Sequence, residues 1–488
     1  MPSLLIGGTW TTGSGGTADV INPFDASVIE AVDQAGPEDV ERAVAAARSA
    51  FDSGPWRQTS ASERGELLRR VADLLVRDKE EIARTETLDT GKTLVESRID
   101  VDDVVAVFRY YADLAGKDAG RIVDVGQAHV LSRVVHEPVG VCSLITPWNY
   151  PLLQLSWKVA PALAAGNTVL IKPSEVTPLS TIKLVRLLDE VGVPAGVVNL
   201  LLGDGPTVGA PLTEHPDVDM VSFTGGLDTG RRIIRSSAET VKKLAVELGG
   251  KNANVVFADT DFETVVDYAL LAVFLHSGQV CSAGARLLVE DELHDALVEE
   301  VGKRAERIRL GNGLDPEAEV GPLVSEQHRA KIEAYVASAL DEGARLVAGG
   351  RRPDEPELQR GYFYRPTVLD DCRADMRVVR EETFGPIMTI ERFSTEDEAI
   401  ALGNDTEYGL AGAVWTSDIG RAHRVANALR HGTIWINDFH PYVPGAEWGG
   451  MKRSGNGREL GPTGLAEYQE LKHIWQNTAP QPMRWFRG

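Results

Sequence analysis

The sequence predicts an α/β protein with more than one core, and three observations carry that expectation. From residue 139 onward, apolar strand-like runs alternate with helix-like segments. A second series of the same kind begins at Asn254. The length of 488 residues, at roughly 150 per domain, fills about three structural units. Alternation of this type argues for parallel strands joined by crossover helices that cover both faces of a sheet.

Taken in chain order, residues 37–117 are rich in helix formers, with Leu67, Leu68, Val71, Leu74 and Leu75 at helical spacing. Residues 121–137 change to a strand-and-turn pattern around Gly126, an exposed hairpin that needs a partner surface. The first alternating series then runs through a strand at 139–145, a helix from Leu152, a strand at 168–171, a helix from Leu179, and strands at 197–202 and 220–223. The second extends from Asn254 to about Trp435, and residues 466–475 read as one more strand or helix packed apart from both series.

Composition narrows the function classes. With 43% hydrophobic and 25% charged residues the chain is globular rather than disordered. A net charge of −22 argues against nucleic acid and anionic membrane as main partners, because both require cationic surface. The first 13 residues lack the basic and apolar regions of a secretory signal, and the longest apolar stretches fall short of the roughly 18–20 residues of a spanning helix. Three cysteines cannot form a disulfide framework in so long a chain, so a cytoplasmic, reducing location is expected. The ten histidines show no i, i+4 pair and no Cys-x-x-Cys accompanies them, so no catalytic metal is expected.

Few residues suit covalent chemistry. Cys281, in Gly278-Gln-Val-Cys-Ser-Ala-Gly284, follows an apolar run and enters a turn that would expose a thiolate to backbone N–H groups; read alone it is equally an inert buried cysteine. Cys142 lies in an apolar strand and reads as core, whereas Cys372, between Asp371 and Arg373, reads as a surface bystander. Glu247 ends an apolar strand, where a raised pKa would suit a general base, although most Glu side chains are simply solvated. Asn149, in the rigid turn Thr146-Pro-Trp-Asn-Tyr-Pro151, is placed either to donate to an oxyanion or only to stabilise the turn. Glycines 225 and 230 follow a strand and open a helix, a weak phosphate signal. Lys172 and Glu175 stand at another strand end, where a carboxylate accepts ribose hydroxyls and disfavours a 2′-phosphate.

These segments together resemble the aldehyde dehydrogenase superfamily. Thr146-Pro-Trp-Asn-Tyr-Pro151, Lys172-Pro-Ser-Glu175, Phe223-Thr-Gly-Gly226, Glu247-Leu-Gly-Gly-Lys251, Gly278-Gln-Val-Cys281, Glu382-Thr-Phe-Gly-Pro386 and Arg458-Glu-Leu-Gly461 occur in the family's order and span nearly the whole chain. The resemblance implies oxidation of an aldehyde to a carboxylic acid with NAD, NADP being possible. Cys281 would be the nucleophile, Asn149 and the Cys281 N–H would hold the oxyanion, Glu247 would activate water and Glu459 would relay a proton. For the cofactor it implies Trp148, Lys172, Ser174 and Glu175 near the adenosine, Gly205 and Pro206 beside the adenine, and Gly225 and Gly226 at the pyrophosphate. Leu248, Glu382 and Phe384 complete that set, the last two by the nicotinamide ribose; many relatives carry Ser where this chain has Gly226.

The implied fold is aldehyde dehydrogenase-like. A Rossmann-like NAD-binding domain would comprise residues 1–117 and 139–249, an α/β catalytic domain residues 250–452, and oligomerisation elements residues 118–138 and 466–478 of a homo-oligomer, a dimer or a tetramer. Positions lining the substrate tunnel would be Tyr150, Gln154, Trp157, Leu275, Tyr442 and Trp448. Four of these six are aromatic, which makes either a box for a quaternary ammonium or an apolar sleeve for any medium-sized aldehyde. Tyr150, Trp157 and Trp448 are similar to the betaine aldehyde branch of the family, so a cationic aldehyde, betaine aldehyde, is the expected substrate, with an aminoaldehyde or broader specificity as the alternative. Leu275 stands where plant-type members carry another Trp, leaving Tyr442 to close the box. Glu447 either faces the tunnel mouth and favours a cation or is a solvated loop carboxylate.

Overall fold

The computed structural model describes residues 2–117 and 120–486. Residues 118 and 119, which open the expected oligomerisation segment 118–138, lie outside the described residues.

The helical stretch resolves into four helices, Pro37–Asp52, Ala61–Arg77, Lys79–Thr90 and Leu94–Ala115. Their starts are written in the sequence. Ser60 accepts from the Glu63 N–H while Glu63 takes the Ser60 N–H, and Thr93 and Glu96 repeat the arrangement. The helix Ala61–Arg77 buries Leu67, Leu68, Val71 and Leu75 on one face, as the spacing predicts.

Eight strands form the first sheet. In spatial order they are Gly455–Asn456, Lys243–Leu248, Met220–Gly225, Val141–Ile145, Thr168–Lys172, Val198–Leu200, Leu4–Ile6 and Thr9–Thr11. The five strands from Lys243–Leu248 to Val198–Leu200 run parallel. The chain winds outward from Val141–Ile145 in one direction and returns to its other side at Met220–Gly225, so a crevice opens beyond the carboxyl ends of those two strands. Every residue of Val141–Ile145, Thr168–Lys172 and the crossover helix Pro151–Ala165 is buried, as parallel sheets covered on both faces require.

The second sheet has seven strands, ordered Arg345–Ala348, Thr367–Asp370, Ile387–Phe393, Arg286–Glu290, Ala253–Val256, Ala411–Trp415 and Thr433–Ile436, parallel except at Arg345–Ala348. The hairpin expected at 121–137 is paired rather than alone. Its strands Arg121–Val123 and Val130–Pro138 join Gln469–Asn477 in a three-stranded antiparallel sheet, with Val130–Pro138 in the middle. Ile122, Leu471 and Trp475 are exposed on it. The tail segment is thus both helix and strand, Gly461–Glu467 followed by Gln469–Asn477.

Of the cysteines, Cys142 is core as expected, but Cys372 is not a surface residue: it is buried in a satellite cluster with Leu369, Met376 and Ile387. Asp371 adopts a left-handed φ of 54°, and this reversal carries Cys372 back inside, where its backbone N–H donates to Ile390. No helix among the described residues is long and apolar enough to cross a membrane.

Candidate active site

The centre of the site is the loop that carries Cys281. It leaves the helix Phe262–Phe274 through His276, Ser277 and Gly278, whose φ values of 47°, 54° and 71° are all left-handed. Two of the three are not glycine, a conformation that persists only when surrounding contacts enforce it. Those contacts are present. The His276 N–H donates to Glu96, the Ser277 hydroxyl to the Gly321 carbonyl, and Gln279 accepts from the Val324 N–H and donates to the His276 carbonyl. A methyl group on Gly278 would lie 2.2 Å from the Gly385 carbonyl oxygen, so the position excludes any side chain. Beyond the thiol, the Asn252 amide donates to the carbonyls of Cys281 and Ala283, each at 2.9 Å.

Asn149 arrives from the first sheet, in the turn after Val141–Ile145. Its side-chain amide donates to the Gln279 carbonyl at 2.9 Å, two residues before Cys281, and the same nitrogen carries a second hydrogen. Glu247 is the penultimate residue of the parallel strand Lys243–Leu248 and is buried. Gly449 leaves room for it: a Cβ there would stand 2.7 Å from a Glu247 carboxylate oxygen. Glu247 faces the Gly450 backbone, and among the described residues no side chain donates to either of its oxygens. Burial, and then the neighbouring Glu459, hold its carboxyl well above the ordinary carboxylate range, while Lys158 and Arg458 oppose the shift. Once ionised, such a carboxylate is a stronger base towards water than a solvated one.

Glu459 is itself buried and ion-paired with Lys158, which is fully enclosed in the helix Pro151–Ala165. Glu459 also exchanges backbone hydrogen bonds with Trp448 at 2.7 and 2.8 Å. Burial pushes the Cys281 thiol up to about 12, with Glu382 and then Glu247 adding to the effect.

Trp157, Tyr442 and Trp448 form one cluster of rings. Centroids are 5.2 Å apart for Trp157 and Tyr442, 6.0 Å for Trp157 and Trp448 and 6.4 Å for Tyr442 and Trp448, all edge-on. Tyr150 caps the helix that carries Gln154 and Trp157, and its ring meets His276 edge-on at 5.4 Å. Leu275 begins the turn before Cys281 and is half-buried. The Tyr442 hydroxyl donates to Asp103, while the Lys92 ammonium lies 3.9 Å over the Tyr150 ring and pairs with Asp100 and Glu86. Lys158, Lys92, Asp100 and Asp103 were not expected. Glu447 is exposed and accepts from Thr463 on the first turn of Gly461–Glu467, which fits the solvated loop reading.

The crevice of the first sheet fits a dinucleotide. The buried Lys172 ammonium lies 3.2 Å from Glu175, which is half exposed, and its stem runs beside the 205–209 turn. Ser174 holds that corner by accepting from the Val176 N–H, and Asp204 caps the turn that begins with Gly205 and Pro206. Gly226 precedes the helix Leu227–Ser237, has no capping side chain, and a Cβ on it would meet nothing within 4 Å. The first N–H groups of that helix are therefore open to a phosphate. Gly225 stands beside it, with the Phe223 ring occupying the space a side chain would need. Leu248 packs its side chain against Gly230 and brings only its backbone to the strand end.

Glu382 accepts from the Gly250 N–H, and burial pushes its carboxyl up to about 7. A small cavity beside it is lined by Gly250, Gly278, Thr383 and Phe384. The Trp148 carbonyl accepts from Thr177, near Glu175, and its ring packs at 5.2 Å on Phe384. Among the described residues there is no cluster of three or more His, Cys, Asp or Glu that could hold a metal ion.

The profile of the aldehyde dehydrogenase family matches residues 10–474. The chain is 56% identical over 487 residues to a betaine aldehyde dehydrogenase of Bacillus subtilis, covering 100% of this chain and 99% of that one. It is 42% identical over 474 residues to a peroxisomal aminoaldehyde dehydrogenase of Pisum sativum, covering 96% and 94% respectively. A crystal structure of betaine aldehyde dehydrogenase from Staphylococcus aureus in complex with NAD+ superposes with a TM-score of 0.99 at 52% identity, covering 100% of this chain and 97% of that one.

Proposed function

Since the chain belongs to the aldehyde dehydrogenase family, an NAD-dependent enzyme that oxidises an aldehyde to a carboxylic acid, we propose how its residues divide that work. NAD, when bound, supplies the hydride acceptor. Residues 1–117 and 139–249 hold it, with Lys172, Glu175, Gly205 and Pro206 at the adenosine end, Gly225 and Gly226 at the pyrophosphate, and Glu382, Phe384 and Trp148 at the nicotinamide end. Residues 250–452 form the catalytic domain that supplies Cys281, with Asn149, Glu247 and Glu459 reaching it from outside that range, and residues 118–138 with 466–478 pair subunits through the three-stranded sheet, which exposes Leu471 and Trp475 on one face and Ile122 on the other. The protein works in the cytoplasm.

Cys281 attacks the aldehyde carbon as thiolate, and a substrate carbonyl beside it receives the second N–H of Asn149 and the Cys281 backbone N–H as its oxygen gains charge. Once the acyl group is on the thiol, Glu247 takes a proton from water, and that water releases the carboxylic acid. The adjacent Glu459 and Lys158 pass the proton on.

The substrate is betaine aldehyde. The observation that carries this choice is the mutual edge-on packing of Trp157, Tyr442 and Trp448, with a carboxylate behind Tyr442. Ring faces stabilise a desolvated quaternary ammonium by about 2 kcal/mol or more each, and the Asp103 charge adds to the attraction. The 56% identity to a betaine aldehyde dehydrogenase supports the same choice. The test compares betaine aldehyde with 3,3-dimethylbutanal, its uncharged isostere. We expect kcat/KM to favour the cation by at least about 30-fold, the contribution of a single ring face. Equal values would overturn the cation box and leave an apolar sleeve.

A further inference from the structure

We propose that His328 is a positioning residue for the nicotinamide end of the cofactor site, acting through the backbone of Phe384. The inference rests on the assignment of Glu382 and Phe384 to the cofactor.

Phe384 has a φ of 60°, a left-handed conformation that costs a non-glycine residue about 1 kcal/mol or more and needs an external restraint. A side chain supplies one such restraint. The Phe384 carbonyl lies 2.7 Å from Nε2 of His328, and because a carbonyl only accepts, that nitrogen carries the hydrogen. The imidazole also meets Trp148 edge-on at 5.2 Å, Trp148 meets Phe384 at 5.2 Å, and His328 meets Phe384 at 6.2 Å. Two residues assigned to the cofactor are therefore joined by a third that the sequence motifs do not single out.

The mounting of His328 is rigid. It sits in the first turn of Glu326–Asp341, whose cap Ser325 accepts the His328 N–H at 3.1 Å. The preceding residue, Val324, donates to the side chain of Gln279 in the Cys281 loop. On the other side, Ile332 of the same helix leaves no space for a side chain at Gly385, and the Gly385 carbonyl abuts Gly278. Burial pushes the imidazole down to about 4, so the ring stays neutral at working pH. A shift of Phe384 would thus reach both the cofactor crevice and the nucleophile loop.

The experiment measures equilibrium binding of NAD and of ADP to the full-length protein by titration calorimetry, with no turnover involved. His328→Leu removes the donor; His328→Gln keeps an N–H of similar reach. Melting temperatures of both variants are recorded, and if His328→Leu does not fold, His328→Asn, whose amide is too short to reach Phe384, replaces it. Loss of one hydrogen bond corresponds to about a tenfold weakening. We expect His328→Leu to raise the NAD dissociation constant by about that factor, to leave ADP binding within about twofold, and His328→Gln to recover most of the loss. Unchanged NAD binding in His328→Leu, a parallel loss of NAD and ADP, or equal defects in the Leu and Gln variants would each overturn the proposal. Wild-type protein that binds ADP but gains nothing from the nicotinamide half would instead overturn the assignment of Glu382 and Phe384, and the inference with it.

Discussion

The hydroxyl of Tyr442 donates a hydrogen bond to the carboxylate of Asp103, joining the loop that precedes Trp448 to the helix Leu94–Ala115. Burial raises the Asp103 pKa and this bond opposes the rise, so the Tyr442 hydroxyl helps keep a charge on Asp103.

Asp103→Asn should lower the ratio of kcat/KM for betaine aldehyde over 3,3-dimethylbutanal by about fivefold, the effect of one nearby charge at a partly screened distance. Tyr442→Phe should lower it too, and more at acidic pH, because Asp103 then takes up a proton more readily. Parallel pH profiles of the ratio in Tyr442→Phe and wild type would remove the charge from the account.

With its thiol pushed up to about 12, Cys281 of the cofactor-free protein is a poor nucleophile. Inactivation by iodoacetamide should accelerate about tenfold per pH unit from 7 to 10 without levelling off. Glu382→Gln should react faster at each pH, since the largest charge opposing the thiolate is gone. A plateau near pH 8 in the wild type would show a thiolate that forms much more easily.

Glu382 has an ordinary value near 4.5 when unfolded and about 7 when folded. An acid raised by folding contributes stability that is fully present below pH 4.5 and is lost as pH rises through about 7. The melting temperature of the cofactor-free enzyme should therefore fall over that interval, and Glu382→Gln should flatten the fall. Identical slopes for the two proteins would place the loss elsewhere.

Lys158→Met should destabilise the protein by about 3–5 kcal/mol, because it leaves Glu459 buried without its partner. The double variant Lys158→Met, Glu459→Leu should recover much of that loss, as denaturant unfolding would measure.

What the sequence revealed follows from where the information is local. The parallel strands and the turn carrying Asn149 are legible because short, mostly apolar runs and prolines fix them within a few residues. Lys158, Lys92, Asp100 and Asp103 were missed because a buried charge looks like a solvated one until its partner, often far along the chain, is placed beside it. The signals were faint but present. Lys158 is the one charged side chain in Pro151–Ala165, and Glu96, Asp100 and Asp103 recur at helical spacing on a face shared with Val104 and Val107. Cys372 misled because its charged neighbours suggested solvent, whereas the left-handed Asp371 turns it inward.

Trp448 and Glu459 lie back to back, joined by two backbone hydrogen bonds. In the proposed mechanism one belongs to the wall that selects the aldehyde and the other to the group that handles the hydrolytic proton. Descendants of this protein can therefore try new aldehydes by exchanging the indole for another side chain. They cannot readily do so by lengthening or shortening the loop, because any insertion would drag the acid–base pair out of register. Diversification at this wall should proceed by replacement of side chains on a loop of constant length.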